Sequence, residues 1–182
     1  MAEAETTGAN VVLGADTSSA AATRSLGAAL ARALWPGDVV LLVGELGAGK
    51  TTLVQGMAMG LGVEEQVTSP TFTLLRPYPC APAGSPANPT ALRTLLHADL
   101  YRMDRTGELV DLALGELVEE DAAAVVEWGD AANGALGSAA VVVRIDADGS
   151  HEELRHITVD VACDGGRHLG ELRSLMNGRR QG

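Results

Sequence analysis

The sequence has few aromatic residues, little basic charge and only two cysteines, and each shortage argues against a class of protein. Only 3% of its 182 residues are aromatic, so few rings are available for stacking on nucleic-acid bases. Its 13 basic against 24 acidic residues give a net charge of −11, whereas proteins that grip nucleic-acid backbones carry a basic face. Tight, direct binding of nucleic acid by this chain alone is therefore disfavoured.

Cysteine spacing and the distribution of apolar residues argue against further classes of protein. Cys80 and Cys163 form no Cys-x-x-Cys pair, which argues against a zinc site or a disulfide framework. No apolar run approaches the ~20 residues that span a bilayer, and residues 1–10 lack the features of a signal or transit peptide. We expect a cytoplasmic protein without a membrane partner.

The size and the apolar content suit one folded domain over residues 1–182. Hydrophobic residues make up 46% of the chain, enough for a buried core, and domains cluster at roughly 100 to 200 residues. We expect residues 1–10 to be a disordered N-terminus and residues 177–182 a tail. Five of the seven prolines lie between Pro77 and Pro89, which excludes a helix or a central strand there. We interpret residues 79–93 as an inserted, mobile surface loop.

Short apolar runs of strand length alternate with helical patterns. The runs are Val11–Leu13, Val39–Val43, Thr71–Leu75, Thr94–Ala98, Ala122–Val126, Ala139–Ile145 and Ile157–Ala162. Helices are expected after a cap at Thr17 or Ser18, from about Lys50 to Leu61, from near Thr106, and over Arg167–Met176. This order predicts an α/β fold with a central parallel sheet and helices on both faces. The last two runs, joined by a short turn, predict an antiparallel hairpin at one edge.

A glycine-rich loop joins the second run to a helix. Residues 44–51 read Gly-Glu-Leu-Gly-Ala-Gly-Lys-Thr, which satisfies the phosphate-loop pattern G-x-x-x-x-G-K-[ST] in the strand-loop-helix context that phosphate binding requires. Lys50, the only lysine of the chain, is expected to reach the β- and γ-phosphates, and the Thr51 hydroxyl to hold Mg²⁺. A glycine-rich turn that caps a helix without nucleotide is the alternative. The predicted nucleotide-binding residues here are Glu45, Leu46, Gly47, Ala48, Gly49, Lys50, Thr51 and Thr52.

Two acids follow predicted strands and are expected near this loop. Asp99 and Glu127 each end an apolar run, and the carboxyl ends of parallel strands meet at one crevice. Both can approach a metal ion or an attacking water. His97 either touches a phosphate or water, or is a hydrogen-bonded core residue. The hydroxyl-rich segment from Thr68 to Thr73 is either a switch that senses the γ-phosphate or an ordinary turn.

The absence of a second lysine excludes the Asn-Lys-x-Asp signature of standard GTPases, so ATP is the expected nucleotide. Four motifs in order then resemble the bacterial TsaE (YjeE) family, the small ATPases of tRNA threonylcarbamoyladenosine (t6A) biosynthesis. They are Gly44–Thr52, Thr68–Thr73, His97–Arg102 (His-Ala-Asp-Leu-Tyr-Arg) and Val126–Trp128. The long proline-rich loop departs from the family.

The resemblance implies a P-loop NTPase fold and a set of roles. Thr51 and Glu127 would hold Mg²⁺, Asp99 and Glu127 would be catalytic, and Trp128 would lie near the nucleotide. The family's partners are the TsaB and TsaD proteins, which would contact tRNA for it, and its ATPase activity is weak until partners stimulate it. Which acid orients water stays open. A small-molecule P-loop kinase and a nucleotide-gated binding module are the alternative functions.

Overall fold

The computed structural model describes residues 6–7, 10–70, 75–99, 118, 121–127 and 140–162. The elements along these residues are β1 (Thr6–Thr7), β2 (Asn10–Thr17), α1 (Ala20–Ala31), β3 (Val39–Val43), α2 (Lys50–Gly60), β4 (Leu75–Pro79), β5 (Thr94–Asp99), β6 (Ala122–Glu127), β7 (Ala140–Ala147) and β8 (Arg155–Ala162). Within this part of the chain, no helix is long and apolar enough to cross a membrane.

All the strands join one sheet in the order β1-β2-β8-β7-β3-β6-β5-β4. The four central strands, β7, β3, β6 and β5, are parallel to one another, and antiparallel strands flank them on both sides. This confirms the predicted parallel centre with antiparallel flanks. The hairpin of β7 and β8 also forms, but the predicted edge position is wrong because β2 and β1 extend the sheet beyond β8.

Helices α1 and α2 pack together on one face of the sheet. Their approach is close because glycines lie at the contact: a Cβ on Gly56 would overlap the carbonyl oxygen of Arg24, and one on Gly60 would overlap that of Ala28. The helices and the sheet share an apolar core, which includes Leu26 of α1, Leu53 of α2 and Val125 of β6. This packing holds α2, and therefore the loop that precedes it, rigidly against the central strands.

The opposite face carries a second apolar cluster that includes Leu41, Leu96 and Val126, with Val118 packed onto it. The predicted helix near Thr106 and the final helix Arg167–Met176 lie outside the described residues, as does the tail 177–182.

Short strands occupy parts of two segments for which the sequence predicted none. Thr6 and Thr7 pair with Val11 and Asn10, so the N-terminus is not without structure throughout residues 1–10. Strand β4 runs over Leu75–Pro79 and so includes two prolines of the proline-rich segment, which an edge strand tolerates because only one of its sides needs backbone donors. Residues 71–74 of the run predicted at Thr71–Leu75 lie outside the described part.

The loop after β4 is held by hydrogen bonds of its own, and its mobility stays a prediction. Asn88 is fully buried, and its side-chain Nδ2 donates to the carbonyl oxygens of Ala81 (2.9 Å) and Leu92 (2.7 Å). Its Oδ1 accepts from the Thr90 hydroxyl at 2.7 Å. The loop also rests on the end of α2, where the Ala81 N–H donates to the Leu61 carbonyl at 3.0 Å.

Candidate functional site

The glycine-rich loop connects β3, at the centre of the sheet, to α2. Gly47 (φ 80°) and Gly49 (φ 107°) adopt backbone angles that side chains disfavour, and a Cβ on Gly44 would overlap the carbonyl oxygen of Ile145. Gly49 is the N-cap of α2, and the first N–H groups of a helix lack intrahelical partners. The loop therefore presents the positive end of a helix to an anion, as its sequence pattern predicts.

Lys50 lies inside this loop and is only 4% exposed. Its Nζ donates to the carbonyl oxygens of Gly44 (2.7 Å) and Glu45 (2.9 Å). The single lysine thus places its charge within the backbone turn. The side chains of Glu45 and Leu46 are exposed, so these two predicted residues can reach a ligand in the loop through their backbone.

Glu127 connects the loop to the sheet. The Thr51 hydroxyl donates to Glu127 Oε1 at 2.8 Å, and His97 Nε2 lies 2.9 Å from the same oxygen. Because a carboxylate only accepts, Nε2 of His97 is the donor of this bond. His97 is completely buried, and its Nδ1 has no hydrogen-bond partner in the described structure. The structure thus places His97 as a hydrogen-bonded partner of Glu127.

Asp99 stands beside Glu127 but has a different partner. The two residues are register neighbours on the parallel strands β5 and β6, so their side chains leave the same face of the sheet. Asp99 Oδ2 accepts a hydrogen bond from the Ser69 hydroxyl at 2.7 Å. Of the two predicted acids, Glu127 therefore contacts Thr51 at the end of the glycine-rich loop, and Asp99 contacts the hydroxyl-rich segment.

The described part of the hydroxyl-rich segment, Thr68 to Pro70, is held on two sides. The Thr68 N–H donates to the Tyr78 hydroxyl of β4 at 3.3 Å, and Gln55 of α2 donates to the Val67 carbonyl at 3.1 Å. With the Ser69 contact, these bonds link the segment to β4, α2 and the acid pair. Thr71 to Thr73, Tyr101, Arg102 and Trp128 lie outside the described residues.

Thr51 and Glu127 also fit the position of a divalent cation. Mg²⁺ takes oxygen ligands at ~2.1 Å in an octahedron, in which neighbouring ligand atoms are about 3 Å apart. The separation of Thr51 Oγ1 and Glu127 Oε1, 2.8 Å, matches this spacing. Among the described residues, no three His, Cys, Asp or Glu side chains form a metal site by themselves. Phosphate oxygens and water would have to complete the coordination, as is common for Mg²⁺ at nucleotide sites.

A polar cleft of about 460 Å³ opens beside the glycine-rich loop. It is lined by Ser19, Ala20, Thr23, Gly47, Gly49, Thr52, Glu152, Glu153 and Arg155. One wall is the N-terminal end of α1 and the other is the turn between β7 and β8. The sequence pattern found Thr52 and the glycines. It missed the turn residues, which follow no recognisable motif and approach the loop only because β8 returns beside β7.

The glycine-rich loop, Asp99 and Glu127 all lie in the region over which the chain matches a known family. The family model described as "Threonylcarbamoyl adenosine biosynthesis protein TsaE" matches residues 17–157. The chain is 42% identical over 139 residues to the tRNA threonylcarbamoyladenosine biosynthesis protein TsaE of Streptomyces coelicolor, covering 75% of this chain and 88% of that protein. It is 38% identical over 136 residues to the TsaE protein of Treponema pallidum, covering 74% and 93%.

A solved structure is similar as well. The crystal structure of Bacillus subtilis YdiB superimposes with a TM-score of 0.70 at 29% sequence identity, covering 94% of this chain and 97% of that one. The similarity covers nearly the full length of both chains and supports a fold of the P-loop NTPase type.

Proposed function

The chain belongs to the TsaE family, and from this we propose that it is a Mg²⁺-dependent P-loop ATPase that regulates the TsaB–TsaD complex in tRNA threonylcarbamoyladenosine biosynthesis. The observation that carries the proposal is the contact between Thr51, at the start of the phosphate-loop helix, and Glu127, at the end of the neighbouring strand. It joins an anion-binding loop to an acid at the position where a nucleotide-bound cation would lie.

In this proposal the loop binds the phosphates and the two acids have separate tasks. The backbone N–H groups at the start of α2 and the Lys50 ammonium hold the phosphate oxygens. Thr51 and Glu127 hold Mg²⁺, which when bound neutralises charge on the phosphates. Asp99, which accepts a hydrogen bond from Ser69 of the hydroxyl-rich segment, is assigned to the water that attacks the γ-phosphorus. That attack breaks the bond to ADP and releases phosphate.

The polar cleft is the proposed site of the nucleoside, because it opens beside Gly47, Gly49 and Thr52 of the loop. Trp128 directly follows Glu127 in the sequence, and we propose, as the family resemblance implies, that it contributes to nucleotide binding. TsaB and TsaD are the proposed protein partners. The net charge of −11 supports contact with tRNA through that complex rather than by this chain.

The first experiment is ATP hydrolysis by the purified protein, alone and with TsaB and TsaD of the same organism. We expect slow turnover alone and strong stimulation by the partners. Lys50→Ala should abolish ATP binding in a calorimetric titration, whereas Glu127→Gln should bind ATP and lose hydrolysis. Arg144→Ala, which removes a positive charge from an exposed position, is the matched control for Lys50→Ala.

Two results would contradict the proposal. One is ATP affinity that Lys50→Ala leaves unchanged. The other is no stimulation by the partners together with transfer of phosphate to a small molecule in a metabolite screen, which would indicate a P-loop kinase.

A further inference from the structure

One arginine joins the glycine-rich loop to the hairpin turn that forms the far wall of the cleft. Arg155, the first residue of β8, donates from Nε to the carbonyl oxygen of Ala48 at 2.8 Å. Its Nη1 donates to the carbonyl oxygens of Glu152 (2.6 Å) and Leu154 (2.9 Å). A single guanidinium therefore holds backbone groups that lie more than a hundred positions apart in the sequence.

The bond to Ala48 determines the orientation of a particular peptide group. None of the described peptide bonds is cis, so the carbonyl of Ala48 and the N–H of Gly49 point in opposite directions. With the carbonyl held toward Arg155, the Gly49 N–H is directed away from the guanidinium. Gly49 is the N-cap of α2, where N–H groups are the ligands for an anion.

The residues around this peptide group restrain its orientation little, so a contact from elsewhere in the chain is needed to fix it. Gly47 and Gly49 flank Ala48, and glycine populates positive and negative φ about equally, so the loop backbone has access to alternative peptide orientations. In one of these, the carbonyl rather than the N–H would face the bound anion. A charge-assisted hydrogen bond to the Ala48 carbonyl disfavours that alternative.

We propose that Arg155 is a positioning residue for the phosphate loop, which fixes the Ala48–Gly49 peptide so that the Gly49 N–H is available to a phosphate of the nucleotide. This inference rests on the proposed nucleotide binding and adds a component that lies outside the sequence motif. It assigns the β7–β8 hairpin to the phosphate site as well as to the wall of the cleft.

Two substitutions of similar length separate this role from the alternatives. In Arg155→Gln the amide nitrogen occupies the place of Nε and can still donate to Ala48, whereas Arg155→Met has no donor. Both variants lose the positive charge and both lose the Nη1 bonds to the turn. They therefore differ only in the contact with the loop.

The measurement is the affinity of each variant for inorganic triphosphate and for ATP by calorimetry, with thermal unfolding to compare their folded states. We expect Arg155→Met to weaken triphosphate and ATP binding alike, by about tenfold, and Arg155→Gln to stay within about threefold of the wild type. The Gly49 amide NMR resonance should shift on adding triphosphate in the Gln variant and shift much less in the Met variant. Arg144→Met, on the exposed face of the same hairpin, should bind as the wild type does.

Equal losses in the Gln and Met variants would overturn the proposal, because they would show that charge or turn stability is what matters. A loss for ATP without a loss for triphosphate would also overturn it, since Arg155 would then act on the nucleoside. A wild-type protein that binds neither compound would instead contradict the proposed function itself.

Discussion

One carboxylate oxygen, Oε1 of Glu127, receives hydrogen bonds from two sides of the site. Thr51 approaches it from the phosphate loop and His97 from the neighbouring strand. Both hydrogen bonds act on the same oxygen, so together they fix the orientation of the Glu127 carboxylate. Groups that orient a metal-binding or catalytic carboxylate in this way fix its geometry without touching substrate. We therefore expect His97 to position Glu127 rather than to contact the nucleotide.

His97→Leu should therefore lower the rate of ATP hydrolysis by about ten- to hundredfold while ATP affinity changes little. His97→Gln, whose amide nitrogen can replace Nε2 as the donor to Glu127, should recover most of the rate. Single-turnover hydrolysis and ATP titration of the two variants check this. A wild-type rate in His97→Leu, or equal losses in both variants, would show that the bond to Glu127 does not position it.

At the scale of the elements, β4 contacts the hydroxyl-rich segment, and the loop that follows β4 is attached to the end of α2. Tyr78 is buried in β4, and its hydroxyl contacts the backbone of Thr68. In the loop after β4, the Asn88 side chain bridges the carbonyls of Ala81 and Leu92, and the backbone of Ala81 is hydrogen-bonded to the end of α2. Proline content correctly excluded a helix, but it does not indicate which contacts hold a loop. The burial of Asn88 between two carbonyls is a property of the folded loop that no local pattern predicts.

We expect Asn88→Ala to destabilise the protein by about 2 kcal/mol, because it removes the buried donor to the Ala81 and Leu92 carbonyls. It should also speed tryptic cleavage after Arg93, whose side chain is exposed at the end of the loop. Urea unfolding and mass spectrometry of the cleavage products measure the two effects. Ser85→Ala, which removes one hydrogen bond from the same loop, serves as the comparison and should change both properties less. A cleavage rate that does not respond to Asn88→Ala would mean that the loop is held by other contacts.

Across the whole molecule, the sheet brings three distant parts of the chain together at His156. Its Nδ1 lies 2.7 Å from Asp16 on β2, and its Nε2 lies 3.5 Å from Asp148 in the turn between β7 and β8. The hydrogen bond to Asp16, and after it that to Asp148, raise the pKa of His156 above its ordinary value of about 6.5. The protonated imidazole is therefore favoured in the folded state.

The raised pKa of His156 predicts how the stability of the protein changes with pH. A raised folded-state pKa contributes stability that is fully present below the unfolded pKa and is lost as the pH rises through the folded pKa. The wild type should thus be more stable than His156→Gln near pH 6, and the difference should shrink by about pH 9. Urea midpoints of both proteins across this range provide the measurement, and the other three histidines are common to both. A difference that grows with pH would contradict the assignment.

The sequence by itself determined the features that depend on local pattern. The phosphate loop needs glycines and one lysine at fixed spacing, and the parallel strands are short, buried apolar runs, so both could be predicted along with Asp99 and Glu127 at strand ends. The tertiary structure alone decided which acid faces Thr51, where Asn88 is buried and that Arg155 reaches Ala48. Those contacts depend on strand order and register, in which β2 and β8 lie beyond β7, and pairings between distant segments leave no periodic signal in the sequence.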